Sequence, residues 1–252
     1  MPPAIDSALV RIEIVSAPDS GKTQLRNGIE VAWPDVVRFV RQVSHDLRNH
    51  LNAVELQSAF LAELATDGEL KAEIARLRKM VSECGNALQK LTTRLNPPSP
   101  HPIAYGVGHL VEDLKKKVIT EFPKQADSVT WKAEISDAEM PVDPQLLSDA
   151  LLEVFQNAFE HQEKGPSLHF NATTEDGNLV LTLYEPKAEF QLATDKWGLE
   201  PLRHVNRGHY GLGLNRARTI VEGHGGKLLA RYDSAESKLI TSIILPLAKS
   251  QG

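Results

Sequence analysis

Two long heptad patterns separated by a tight turn constrain the fold of this chain more than any other feature. In each pattern apolar residues recur three and four positions apart, which is the spacing of helices that bury one face against other helices. The first pattern comprises Val40, Val43, Leu47, His50, Val54, Gln57, Leu61 and Leu64. The second comprises Leu70, Ile74, Leu77, Val81, Cys84, Leu88, Leu91 and Leu95. Together they predict an antiparallel helical hairpin over residues 34–96.

The turn of this hairpin carries signals of its own. Thr66 and Glu69 fit a capping box, in which the threonine caps the second helix and the glutamate reaches back, and Gly68 eases the reversal. Two helices alone cannot enclose a core, so we expect two copies to form a four-helix bundle. The expected assembly is a homodimer, with Cys84 as a buried thiol that has no redox or metal function.

Composition bounds the remaining possibilities. The chain has 252 residues, 41% of them apolar, and a formal net charge of −5. This composition suits one large or two small domains and gives no reason to expect a nucleic acid as partner. No apolar run reaches the roughly eighteen residues that a membrane span needs, and the first residues do not resemble a signal peptide. We therefore expect a cytoplasmic protein without a membrane span.

The region after the hairpin is predicted to be a separate domain. Residues 97–102 form a proline-rich linker that cannot continue a helix. Residues 103–252 mix helical and strand patterns, which predicts an α/β sandwich and makes the whole chain α+β. Helices are expected near 107–121, 143–162 and 212–223, and strands near 128–135, 167–173, 179–184, 226–232 and 238–246. Residues 1–33 form a short segment of unknown role, with one strand expected within residues 8–15.

His45 is placed for chemistry on the first predicted helix. It falls at the f position of the heptad, farthest from the apolar face. Asp46 adjoins it, and Asn49 lies one turn along on the same face. An imidazole changes charge near neutral pH, so Asp46 could hold one tautomer or take a proton, and Asn49 could orient a water. The alternative interpretation is an ordinary solvent-facing histidine.

Two segments of the second region predict contacts with a phosphorylated ligand. Asn157 lies inside a predicted helix and offers an amide oxygen, the kind of ligand that Mg²⁺ binds together with nucleotide phosphates. Residues 208–214 are rich in glycine and lead into a helix, whose first N–H groups can bind anions. The candidates in this segment are Gly208, Gly211, Leu212, Gly213 and Leu214. The alternatives are an asparagine without function and an ordinary loop before a helix.

Taken in order, these motifs resemble those of the two-component sensor histidine kinases, over residues 35–248. Residues 44–51 resemble the family's phosphoacceptor box, with Asp46 for Glu, Asn49 for Thr and His50 for Pro. Asn157 and His161 resemble its asparagine box. Residues 197–202 resemble its Phe-Glu-Pro-Phe segment and residues 211–214 its second glycine box.

The first glycine box of that family is degenerate here. Glu185 keeps a carboxylate at the position of the aspartate that holds the adenine amino group. Lys187 and Glu189 replace the two glycines, and Pro186 restricts the turn. Side chains thus occupy positions where backbone passes close to the nucleotide in the family, so weakened ATP binding is expected.

The resemblance implies a phosphotransfer hairpin of the HisKA type followed by an ATPase domain of the GHKL, or Bergerat, type. It implies an ATP-dependent protein histidine kinase that phosphorylates His45 and passes the phosphoryl group to an aspartate of a response regulator. Asp46 and Asn49 would assist at His45, and Asn157 would hold Mg²⁺. The implied nucleotide contacts are Asn157, His161, Glu185, Gly208, Gly211, Leu212, Gly213 and Leu214. Besides the homodimer, the expected partners are a receiver domain and a separate sensor protein.

Two other functions remain open from the sequence. The degenerate glycine box favours a histidine phosphotransferase or pseudokinase scaffold whose ATPase-like domain no longer binds nucleotide. Glu153, one turn before Asn157, could serve instead as the catalytic carboxylate of an ATPase that drives a conformational clamp. The exposed His45 argues against this last function.

Overall fold

The computed structural model describes residues 9–12, 29–96, 98–162, 167–190, 194–195, 197–199, 201 and 211–248. The chain divides into two compact units, residues 1–95 and 96–252. The first unit contains β1 (Leu9–Ile12), β2 (Ile29–Ala32), α1 (Trp33–Leu64) and α2 (Gly68–Leu95). The second contains β3 (Ile103–Gly106), α3 (Val107–Glu121), β4 (Val129–Glu134), β5 (Glu139–Val142), α4 (Pro144–Glu160), β6 (Leu168–Glu175), β7 (Asn178–Pro186), α5 (Gly213–Gly223), β8 (Lys227–Asp233) and β9 (Lys238–Pro246).

The first unit is the predicted helical hairpin, preceded by a small sheet. Strands β1 and β2 pair antiparallel, with Leu9 opposite Ala32, and α1 follows β2 directly. Pro34 lies in the first turn of α1, where its missing N–H costs nothing. The second helix is capped differently from the prediction. The carboxylate of Asp67, rather than the hydroxyl of Thr66, accepts the N–H of Leu70 at 2.8 Å, because α2 begins one residue later than the capping box requires.

Much of the apolar stripe on the hairpin remains exposed in the single chain. Large apolar side chains of the two heptad patterns lie open to solvent, namely Val43, Leu47, Val54, Leu61, Leu64, Leu70 and Leu77. Cys84 is also exposed, so the expectation of a buried thiol is wrong for the single hairpin. The reason is visible in the register: Leu70, Leu77 and Cys84 are seven residues apart and form one uncovered line along α2.

The second unit is built on a mixed five-stranded sheet of order β4-β6-β7-β9-β8. Strands β4 and β6 pair in parallel, and the other neighbours are antiparallel. Helices α3, α4 and α5 supply apolar side chains to one core with this sheet. Trp131 packs against Phe155 and Phe170, with ring centroids 5.4 and 4.8 Å away, and the two phenylalanine rings also contact each other. Aromatic packing of this kind joins the start of the sheet to α4.

The predicted α+β fold is confirmed, although three of its short strands were not predicted. Every helix and strand expected after residue 103 is present with nearly the expected bounds. The sequence patterns did not predict β2, nor did they predict β3 and β5, which form a separate two-stranded antiparallel sheet. Strands of four residues are too short to show a reliable alternation of apolar and polar side chains. Among the described residues, no helix has the length and apolar content that crossing a membrane requires.

A buried histidine fixes the relative placement of α4 and α5. The Nε2 atom of His224, just after α5, accepts the backbone N–H of Asp143 at 3.0 Å. Its Nδ1 atom lies 2.7 Å from the carbonyl oxygen of Ile220, to which it donates when Nδ1 carries the hydrogen. Asp143 in turn caps α4 by accepting the N–H of Leu146 at 2.9 Å. The two helices that carry the predicted ligand contacts are therefore tied together at one end.

Candidate functional site

His45 lies on the exposed surface of α1, with 67% of its side chain accessible. Its Nδ1 atom is 3.3 Å from Oδ1 of Asp46 and 3.5 Å from Nδ2 of Asn49. The structure thus brings together the three residues that the sequence analysis grouped. If Nδ1 carries a hydrogen, it can donate to the carboxylate of Asp46. If Nδ1 carries a lone pair, it can accept a hydrogen bond from Nδ2 of Asn49. We favour the hydrogen because the contact with Asp46 is shorter and involves a charged acceptor.

The carboxylate of Asp46 is held in its ionised form. Gln42, one turn before it, donates from Nε2 to Oδ1 at 2.9 Å. The hydrogen bond from Gln42 lowers the pKa of Asp46, and the contact with His45 lowers it further. Asp46 therefore remains an anion at neutral pH and can accept a hydrogen bond or a proton from the imidazole beside it.

The predicted nucleotide contacts belong to the second unit and come from three elements. Asn157 is partly buried on α4, and His161 follows the end of this helix. Leu212 is the N-cap residue of α5, and no side chain makes a capping hydrogen bond there. Gly211 has φ +62°, a conformation that favours glycine. Gly208 lies outside the described residues.

The N-terminus of α5 has a carboxylate beside it that the sequence analysis did not place there. Glu153 of α4 lies so close to Gly213 that a Cβ at this position would collide with the carboxylate oxygen Oε2. A negative charge is favourable at the N-terminus of a helix, because the first N–H groups are free and carry partial positive charge. Glu153 therefore lies beside the first residue of α5.

The segment that resembles Phe-Glu-Pro-Phe packs against α5. Arg218 donates from Nε to the carbonyl of Trp197 at 2.9 Å. Asn215 donates from Nδ2 to the carbonyls of Gly198 and Leu199, both at 3.1 Å. Two motifs that are separate in the sequence thus form one structure, although Glu200 and Leu202 lie outside the described residues.

Glu185 is buried and paired. Its Oε1 atom is 2.7 Å from Nζ of Lys187, and the two side chains are only 5% and 8% exposed. Lys187 also donates to the backbone carbonyl of His161. From the sequence, Lys187 was identified only as the replacement of a glycine. Its partnership could have been found, because residues two apart at the end of a strand point to the same side.

The two ends of the predicted nucleotide site differ in how well they suit ATP. The start of α5 offers N–H groups without a capping side chain, which suits phosphate oxygens, although Glu153 is close. The carboxylate that would hold the adenine amino group is already paired with Lys187. No group of three or more His, Cys, Asp or Glu side chains in the described part of the chain could hold a metal ion.

Comparison with known proteins supports the resemblance. No protein-family model matches the chain. It is 25% identical over 242 residues to the sensory histidine kinase/phosphatase NtrB of Klebsiella oxytoca, covering 90% of this chain and 66% of NtrB. It is 22% identical over 219 residues to the sensor histidine kinase SpaK of Bacillus subtilis, covering 81% of this chain and 47% of SpaK. The chain thus spans between about half and two thirds of these relatives.

A solved structure supports the fold. The crystal structure of full-length ShkA in complex with AMPPNP matches with a TM-score of 0.61 and 16% identity. The match covers 85% of this chain and 47% of that one. At this identity the similarity concerns the fold alone. Together with the sequence similarities, it confirms the resemblance that the motifs predict.

Proposed function

We propose that this chain, a relative of the two-component sensor histidine kinases, is an ATP-dependent protein histidine kinase that phosphorylates its own His45. The phosphoryl group would then pass to an aspartate in the receiver domain of a response regulator. The observation that carries the proposal is the exposed imidazole of His45 with its Nδ1 atom turned to the Asp46 carboxylate.

This contact selects the ring nitrogen that reacts. When the hydrogen lies on Nδ1 and is donated to Asp46, the lone pair lies on Nε2. Nε2 is then a neutral nucleophile, and the positive charge that develops on the ring as it attacks is stabilised by the neighbouring carboxylate. Asp46 suits this role because its lowered pKa keeps it ionised. After the transfer it can accept the Nδ1 proton.

The first transfer forms one bond and breaks one. A bond forms between Nε2 of His45 and the γ-phosphorus of ATP, and the bond from this phosphorus to the β,γ-bridging oxygen breaks, which releases ADP. Phosphoryl transfer needs mainly positioning and charge neutralisation. In this proposal Asn157 binds Mg²⁺, which would neutralise phosphate charge. Gly211, Leu212, Gly213 and Leu214 would contact the phosphates. Gly208 and His161 would supply further nucleotide contacts, and Glu185 would bind the adenine amino group.

The second transfer exchanges the phosphorus–nitrogen bond for an acyl phosphate on the regulator. The aspartate oxygen attacks phosphorus, and His45 leaves as the neutral imidazole once it has its proton back. Asn49 lies on the same face of α1, and we assign it the positioning of a water that later hydrolyses the acyl phosphate. A separate sensor protein would supply the input signal.

We also propose that the hairpin works as a homodimer. The support is the line of exposed apolar side chains on α1 and α2, which includes Leu47, Leu61 and Leu77. Exposed apolar stripes of this length are rare on monomers, and a second copy carries the matching stripe.

The kinase is tested by incubating the purified chain with γ-labelled ATP and Mg²⁺ and counting acid-labile, alkali-stable label. We expect label on the wild type and none on His45→Gln or Asn157→Ala. His169→Gln is the matched control, because His169 is another exposed histidine that the proposal does not use. Label that persists on His45→Gln would contradict the choice of acceptor.

A second candidate function is favoured by one observation, the ion pair between Glu185 and Lys187. A chain whose adenine carboxylate is permanently occupied would act as a histidine phosphotransferase that takes its phosphoryl group from a phosphorylated receiver domain. In that case calorimetry with ATP would show no binding. A labelled receiver domain would still transfer label to the wild type and not to His45→Gln.

A further inference from the structure

Lys187 does more than take the place of a glycine, because its side chain forms a buried ion pair with Glu185. The lysine ammonium contacts the glutamate carboxylate at 2.7 Å and also donates to the carbonyl of His161 at the end of α4. Both side chains are almost completely buried. The ammonium therefore links the end of β7 to the end of α4. The adenine contacts are proposed between these two elements.

The backbone around Lys187 is anchored on the opposite side. Its N–H donates to the carbonyl of Ser237 at 2.8 Å. The hydroxyl of Tyr232 lies within hydrogen-bond distance of the carbonyls of Lys187 and Ala188, at 3.1 and 3.0 Å. These contacts join the segment after β7 to the β8–β9 hairpin. Because the backbone cannot easily withdraw, the lysine side chain extends back along the strand to Glu185.

The chemistry of this pair resembles that of the ligand it would replace. An adenine amino group donates hydrogen bonds to a carboxylate, and the lysine ammonium contacts the same carboxylate as an ion pair with a full positive charge. Displacing the ammonium would leave a buried cation without its partner, which is strongly unfavourable. A nucleotide can therefore use Glu185 only after Lys187 has moved to water or to another anion.

We propose that Lys187 is a built-in competitor of adenine for Glu185 and that it sets the nucleotide affinity of this chain. The inference rests on the proposed function only in taking Glu185 as the carboxylate that recognises the base. It predicts weak nucleotide binding, because Glu185 is present but is paired with Lys187.

The experiment compares ATP binding by calorimetry, in Mg²⁺, to the wild type and to variants of the full chain. We expect Lys187→Gly to bind ATP at least tenfold more tightly than the wild type. Lys187→Met should also bind ATP more tightly than the wild type, because methionine fills the same space but lacks the ammonium that competes for Glu185. The double variant Lys187→Gly with Glu185→Gln should lose the gain, since it lacks the carboxylate that the glycine exposes.

Unfolding curves establish that each variant is folded, and Lys187→Ala replaces Lys187→Gly if the glycine variant is not. Equal affinity of the folded small-residue variant and the wild type would overturn the inference. A gain from glycine with none from methionine would overturn it too, because the volume of the side chain and not its ammonium would then limit binding. Labelling of His45 is scored in parallel. If Lys187→Gly binds ATP more tightly but His45 is not labelled, the inference holds and the kinase proposal is contradicted. If His45 is labelled but the affinity is unchanged, the kinase proposal holds and the inference is contradicted.

Discussion

Gly198 lies so close to Leu214 that an ideal Cβ on Gly198 would stand 2.7 Å from the carbonyl oxygen of Leu214. The glycine also has φ +70°, which other residues adopt at a cost. The segment around Trp197 passes directly over the first turn of α5, and the backbone approaches too closely for a side chain.

Gly198→Ala is therefore expected to destabilise the second unit. Backbone strain of this kind costs about 1–3 kcal/mol, and the contact with the Leu214 carbonyl adds to it. The matched control is Gly177→Ala, because Gly177 has φ +74° but nothing within 4 Å of its ideal Cβ. Urea unfolding should show a larger loss for Gly198→Ala than for Gly177→Ala. Equal losses would mean that the close approach to Leu214 carries no cost.

The stability of the second unit should depend on the ionisation of Asp143. The N–H of Leu146 is the main cause of the lowered pKa of Asp143, and the N–H of His101 and the nearby His224 lower it further. Because the folded pKa lies below the unfolded one, the carboxylate stabilises the fold above the unfolded pKa. This contribution is lost as the pH falls through the folded pKa.

The variant Asp143→Asn separates charge from capping, since asparagine caps helices about as well as aspartate. We expect its free energy of unfolding to show a smaller decrease than that of the wild type as the pH falls below about 4. Asp143→Ala should lose about 1 kcal/mol at neutral pH, where the cap itself is missing. Identical acid profiles for the wild type and Asp143→Asn would show that the charge contributes nothing.

A charge on the exposed apolar line should break the proposed dimer. Leu61 is 44% exposed in the single chain, and in the four-helix arrangement it would be covered by the second copy. Leu61→Glu should therefore shift the mass measured by light scattering from dimer to monomer. Leu56→Glu is the control: Leu56 is 75% exposed and, five residues earlier, lies on a different face of α1. A dimeric Leu61→Glu would place the interface elsewhere.

Asp46→Asn should slow the labelling of His45 without unfolding the hairpin. Asparagine can still accept the Nδ1 hydrogen, but it has no charge to stabilise the imidazolium and is a poor acceptor for its proton. General-base assistance contributes about 10²–10⁴ in rate, so a decrease in initial rate of about this size is expected. Asp35→Asn, an exposed carboxylate on the same helix, should label at the wild-type rate. Equal rates for the two variants would remove Asp46 from the reaction.

The hairpin and the large sheet were predictable because their patterns are long. The heptads of α1 and α2 repeat over many turns, and β7 and β9 each have nine residues. The cap of α2 was misassigned because Thr66 and Asp67 are both good caps and only the start of the helix distinguishes them. Such one-residue boundaries depend on how the turn packs.

The candidate site was predictable where it is local and unpredictable where it depends on tertiary contacts. His45, Asp46 and Asn49 lie within five positions of one helix, so helical geometry alone places them together. Glu153 and Gly213 come from different helices, and their contact depends on how α4 packs against α5. Lys187 is an intermediate case: strand geometry brings it near Glu185, but the burial of both depends on the end of α4.

The place of β9 in the sheet has a consequence for how the protein is made. This strand pairs with β7 on one side and with β8 on the other, although among the described strands it is the last to be synthesised. Its buried side chains include Leu239, Ile243 and Leu245. The sheet of the second unit therefore cannot close until β9 has left the ribosome. The helical hairpin of the first unit depends on neighbouring segments only and can form while translation continues.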